Sequence, residues 1–92
     1  MQAQSDLQYE DEHIRITRWR FPPGTETGWH KHAYAYAVVP VVGGDLTVED
    51  AAGARIYPIQ TGESYARPAG IEHNILNKTQ SEIVFVELEM KR

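Results

Sequence analysis

Cysteine is absent from the 92 residues, which removes disulfides, thiolate ligands and cysteine nucleophiles together, so any bound metal must be held by nitrogen and oxygen. No apolar run is long enough to span a bilayer. The longest, Ala33 to Val42, reaches about half a span and carries Pro40, so no transmembrane helix is expected. Basic side chains are outnumbered nine to thirteen, for a net charge of −4, and they are scattered along the chain. This lacks the basic stripe on which nucleic-acid binding depends. Residues 1–12 are polar and acidic and do not resemble a signal peptide, which leaves a cytoplasmic address as the default expectation.

The 3.6-residue apolar period of an amphipathic helix is missing as well. What the chain has instead is a series of short β-branched and aromatic runs separated by Gly, Pro, Asn and Asp. Candidate strands cover His13 to Phe21, Trp29 to His32, Tyr34 to Val42, Asp45 to Glu49, Arg55 to Ile59, Glu63 to Arg67, His73 to Asn77 and Glu82 to Met90. The pattern predicts one all-β domain over residues 1–92, an antiparallel barrel closed or nearly closed so that few strand edges are left bare. Residues 1–12 are expected to form a loose arm, or a strand added to a partner subunit.

The chemistry concentrates on three histidines. His30 and His32 are one residue apart, so in a strand they point to one face, and His73 opens another strand-like segment. Neutral imidazoles suit zinc, iron, copper or nickel, and three of them leave coordination positions open for a reactive metal. His13 stands alone and is read as structural. Trp19, Trp29 and Phe21 are read as packing residues. No chemistry is assigned to the segment Glu82 to Glu89, whose Ile-Val-Phe-Val centre reads as a buried strand.

Two spaced blocks frame these histidines. From Gly24 the chain runs five residues to His30, one to His32, three to Tyr36 and six to Gly43. From Gly62 it runs five residues to Pro68, one to Gly70, two to His73 and three to Asn77. The glycines are expected at chain reversals, where glycine reaches positive φ at no steric cost, and Pro68 suits a turn before the strand of His73. The two blocks resemble the motifs of the cupin superfamily, small jelly-roll β-barrels, with nine of ten motif positions matched. The resemblance implies a jelly-roll barrel and a divalent metal (Fe, Mn, Zn, Ni or Cu) held inside it by His30, His32 and His73.

The tenth position departs from the family. Where cupins of this type carry a glutamate ligand, this chain has Tyr36, whose phenol ionises near pH 10 and so serves better as a hydrogen-bond donor than as a ligand. Glu26 and Glu72 are the nearest carboxylates in sequence, and neither is favoured as a replacement. If the strand runs unbroken from His30, then Tyr34 and Tyr36 share the inward face and are candidates for positioning substrate or handling a proton. Arg67 could meet a substrate carboxylate at the barrel mouth, although a surface ion pair is the more ordinary role for an arginine.

The function expected from this reading is that of a metal-dependent enzyme, a dioxygenase or a lyase or isomerase, acting on a small polar or anionic molecule. The alternative is a non-catalytic module that binds a small ligand or metal, as a sensor or accessory protein. No nucleic acid or membrane partner is expected. A homodimer is, because a barrel this small leaves apolar sheet surface that pairing would cover.

Overall fold

The computed structural model describes residues 1–92. Alternation and β-branched runs produce nine strands and no helix. They are β1 (Gln4–Glu10), β2 (Ile14–Phe21), β3 (His30–Lys31), β4 (Ala35–Val42), β5 (Gly44–Asp50), β6 (Gly53–Ile59), β7 (Tyr65–Arg67), β8 (Glu72–Leu76) and β9 (Ile83–Met90). Five form a sheet in the order β1-β2-β9-β4-β7, and four form another in the order β3-β8-β5-β6. Every pairing between these strands is antiparallel. The architecture is the all-β jelly-roll barrel that the turn spacing predicts, and no helix is long and apolar enough to cross a membrane.

The two sheets meet over a core to which both contribute. Phe21, Leu46 and Ile83 are almost completely buried at its centre, with Val38 and Phe85 from one sheet and Val48 and Ile75 from the other. Each such side chain contributes about 1.5–3 kcal/mol through removal from water. Phe21 stacks at a tilt against Phe85, with ring centroids 5.4 Å apart, and against Trp19 at 6.1 Å, tying β2 to β9. At the far end of the barrel Asn77 is fully buried, where it serves as a polar knot. Its Nδ2 donates to the Phe21 and Ser81 carbonyls at 2.7 and 2.8 Å, and its Oδ1 accepts from the Thr79 amide and hydroxyl.

The first residues form a strand that pairs within the chain. β1 pairs along its length with β2 of the same chain, and Asp6 of β1 reaches Arg18 and Arg20 of β2 at 3.2 and 3.3 Å. A strand was one of the two sequence readings of these residues, and its extent went unmarked because they are nearly all polar and exposed, with no apolar alternation.

Two sequence expectations about the chain path need correction. Gly24, Gly62 and Gly70 do adopt positive φ, but Gly43 does not. Its requirement is close approach: a Cβ there would lie 2.5 Å from the Ile59 carbonyl oxygen. The strand that begins at His30 also does not continue unbroken to Tyr36. It ends at Lys31, bends at Ala33 and Tyr34, and resumes as β4 in the other sheet.

Candidate metal centre

That bend is what builds the site. β3 lies beside β8 with His30 and His73 as direct cross-strand partners, so two imidazoles start from one register position. His32 sits just past the end of β3, held by its own backbone: its amide donates to the Ile71 carbonyl at 2.9 Å and its carbonyl accepts from Gly70 at 2.8 Å. The turn made by Pro68 to Gly70 thus fixes the third imidazole against the other two.

The three rings converge through Nε2. His30 Nε2 lies 3.1 Å from His32 Nε2, which lies 3.1 Å from His73 Nε2. The rings meet edge to face, with centroids 4.8 to 5.1 Å apart. Nitrogens at this spacing, each about 2.1 Å from a common ion, would subtend about 95°, close to one face of an octahedron. The donor set therefore fits a divalent metal and leaves positions open for other ligands. His30 Nδ1 lies 2.9 Å from the Gly28 carbonyl, which can only accept, so Nδ1 carries the proton and Nε2 presents its lone pair. This is the orienting contact that metal-bound histidines ordinarily make.

Electrostatics keep the other two rings neutral. Burial, and secondarily the neighbouring His30, lowers both His32 and His73 to about 4, so at neutral pH each offers a lone pair and not a proton. They are 6% and 9% exposed. Asn74, beside His73, braces the approach by accepting from the Gly28 amide at 3.0 Å and donating to Glu26 and Glu49.

The histidines open into a cavity of about 280 Å³ between the sheets. Tyr36 forms part of its wall from β4, its ring stacked on His32 with centroids 3.9 Å apart and planes at 19°. Burial, and secondarily Glu87, pushes the Tyr36 phenol up to about 12. It stays protonated and is a donor at the cavity wall. Tyr34 is a different case. It lies on the bend, outside the cavity lining, with the Arg15 guanidinium 5.8 Å from its ring centroid, so the shared inward parity expected for it fails with the unbroken strand.

Arg67 pairs with Tyr36 across β4 and β7 and lines a second cavity of about 240 Å³ that shares Tyr36, Tyr57, Tyr65 and His73 with the first. The expected surface ion pair is not made. The guanidinium instead lies over the Tyr57 and Tyr65 rings at 5.3 and 4.8 Å and donates to the Tyr57 hydroxyl. Trp29, expected to pack, is 59% exposed, whereas Trp19 and Phe21 are packed as expected. His13 is exposed beside Glu12.

The residues that sequence reasoning missed are Glu87 and Glu89 of β9. Both line the cavity, and their carboxylate oxygens and a ring nitrogen of His32 all lie within 4.8 Å of one another. Glu89 is directly opposite Tyr36 and Glu87 opposite Val38, so they stand on the inner wall of the same sheet. Burial pushes the Glu87 carboxyl up to about 7, the charge of Glu89 adds to this, and Arg15 and a hydrogen bond from Trp19 oppose it. The available signal was the parity Ile83, Phe85, Glu87, Glu89. It was masked because the alternate set, Val84, Val86, Leu88 and Met90, is apolar too.

Comparison with known proteins agrees with the fold. The family described as "Cupin domain" matches residues 17–89. The β-alanine degradation protein BauB of Pseudomonas aeruginosa is 44% identical over 90 residues, covering 98% of this chain and 95% of that protein. A cupin domain from Bordetella pertussis has a crystal structure with a TM-score of 0.96 and 45% identity, covering 99% of this chain and 95% of its own. The polyketide cyclase RemF of Streptomyces resistomycificus, only 14% identical, shares the fold with a TM-score of 0.80 over 99% of this chain and 66% of its own.

Proposed function

The chain belongs to the cupin family, and we propose that it is a mononuclear metal protein that turns over a small polar or anionic molecule at the three-histidine site. The observation that carries this reading is the convergence of three Nε2 atoms with the His30 proton drawn away to the Gly28 carbonyl. The ion is one of Fe, Mn, Zn, Ni or Cu. Bound there, it would supply Lewis-acid polarisation of a carbonyl or carboxylate, or a common centre for substrate and dioxygen.

The chain's own groups divide the remaining work. His30, His32 and His73 hold the ion, and burial of the latter two keeps water from competing at their nitrogens. Tyr36 lies against His32 with its phenolic proton retained, so it orients a substrate oxygen by hydrogen bonding or delivers a proton to it. Arg67, fixed by two tyrosine rings and paired with no carboxylate, offers its free donors to a substrate carboxylate through the second cavity. Both dioxygenase and lyase or isomerase chemistry suit this arrangement. The relative's role in β-alanine degradation supports a substrate of similar size and polarity, carrying a carboxylate. Cavities of about 280 and 240 Å³ accommodate such a molecule.

The test is turnover by metal-loaded protein. Consumption of dioxygen, or conversion of small hydroxy, keto or amino acids, above the rate of the free metal supports an enzyme. Stoichiometric metal and ligand binding without turnover would reject catalysis in favour of a binding module.

We also propose a homodimer formed through the outer face of the larger sheet. Ile16, Ala37, Val39, Val86 and Leu88 face outward there and are only half-buried, and Met90 and Tyr9 are exposed beside them. Pairing would cover this apolar strip.

A further inference from the structure

We propose that Tyr57 and Tyr65 make Arg67 a pre-set carboxylate receptor at the neck between the two cavities, so that the substrate's carboxylate docks there and its opposite end meets the metal. The proposal deepens the reading above, and rests on it, in taking Arg67 as the group that meets the carboxylate. His30 and His32 line only the first cavity and Arg67 only the second, while His73, Tyr36, Tyr57 and Tyr65 line both. The two spaces therefore join at a neck walled by three tyrosines and one of the three imidazoles. Arg67 and Glu89 are the cross-strand partners of Tyr36 on its two sides, two strand spacings or about 9.6 Å apart at the backbone.

Charge sets the direction. The first cavity carries two carboxylates, Glu87 and Glu89, against one guanidinium, that of Arg15, which holds Glu89 through both oxygens and also acts on Glu87. In the second the balance is reversed: Arg55 is paired with Asp50 at 2.6 Å, and Arg67 makes no ion pair. A substrate carboxylate is therefore disfavoured beside Glu87 and Glu89 and favoured at Arg67. The Arg67 guanidinium is already in place. It lies 5.3 Å from the Tyr57 ring centroid and 4.8 Å from that of Tyr65, and the two rings meet edge to face at 5.4 Å. Its Nη2 donates to the Tyr57 hydroxyl and its Nη1 to the Ala66 carbonyl at 2.9 Å, which anchors the head and leaves the other N–H groups of the fork for an anion. Tyr57 comes from β6 of the smaller sheet and Arg67 from β7 of the larger, so the contact fixes the guanidinium against both walls of the neck. A side chain fixed in advance removes much of the ordering cost of binding. Tyr57 and Tyr65 are thus positioning residues that act through Arg67.

The experiment measures by calorimetry the binding of propionate and of its neutral isostere propionamide, to wild type loaded with Co²⁺ and to wild type freed of metal. Propionate should bind at least about 10-fold more tightly than propionamide, and the metal-free protein should keep that preference. Arg67→Gln should abolish the preference and Arg67→Lys should restore part of it. Tyr57→Phe, which keeps the ring and removes only the hydroxyl, should reduce the preference about 3- to 10-fold with propionamide binding unchanged, and Tyr65→Leu should reduce it likewise. Circular dichroism checks that each variant is folded. A wild-type preference in folded Arg67→Gln would overturn the receptor, and one in folded Tyr57→Phe and Tyr65→Leu would overturn their positioning role. Loss of the preference on removing the metal would place the carboxylate on the ion and overturn the docking direction. Failure of wild type to bind Co²⁺ while propionate binding persists would bring down the metal site and leave the receptor standing.

Discussion

Single side chains carry most of the chemistry, and they are separable by what each substitution should spare. Tyr36→Phe removes only the phenolic hydroxyl, so metal content should stay near wild type while turnover falls at least about 10-fold, a split read by metal analysis beside steady-state kinetics. Glu87 makes the metal-free protein pH-sensitive. Its folded-state pKa of about 7 lies above its ordinary value, so the stability it contributes is complete below the ordinary carboxylate range and is lost as pH rises through 7. His32 and His73, lowered to about 4, act oppositely: their contribution is complete above the ordinary histidine range and is lost as pH falls through 6.5 toward 4. Glu87→Gln should therefore raise the stability of metal-free protein at pH 8 by about 1–2 kcal/mol and leave it unchanged at pH 4, measured by urea unfolding. Asn77 saturates four hydrogen-bond positions in a dry site, and Asn77→Ala should cost about 2–4 kcal/mol in the same assay, with metal affinity per folded molecule preserved.

Among the strands, register decides which side chains meet, and this is where the sequence was only partly readable. His30 and His32 were visible because alternation and motif spacing agree, and His73 because a turn rich in Pro and Gly precedes it. Tyr34 was misplaced because nothing in Ala33-Tyr34-Ala35 announces a bend that carries the chain from one sheet to the other. Glu87 and Glu89 went unseen for a different reason. A strand apolar on both faces has no parity to read, and only the pairing of β9 between β2 and β4 reveals which residues face inward. β1 was legible only as one of two options, a loose arm or a strand, because a polar edge strand gives no apolar period. Gly43 was recognised as required but for the wrong cause, since its neighbour is the Ile59 carbonyl and its φ is ordinary. Gly43→Ala must push β4 away from the segment after β6, and should lower stability by about 1–3 kcal/mol without altering the metal ligands.

The barrel as a unit joins these pieces, since one sheet supplies the histidines and the other the tyrosine, the arginine and the carboxylates. The larger sheet's outer face, with Val86 and Leu88 at its centre, should bring two barrels together, so Leu88→Lys should convert a dimer to a monomer by light scattering. Acidification should also empty the site, because protons compete for the imidazoles once pH approaches the lowered His32 and His73 values. All of this depends on the three converging nitrogens, with His32 Nε2 3.1 Å from each of the other two, holding an ion. Metal analysis of purified wild type beside His30→Ala, His32→Ala and His73→Ala decides it: about one equivalent of divalent metal in wild type and little in each variant is expected, and one equivalent in all four would contradict the account.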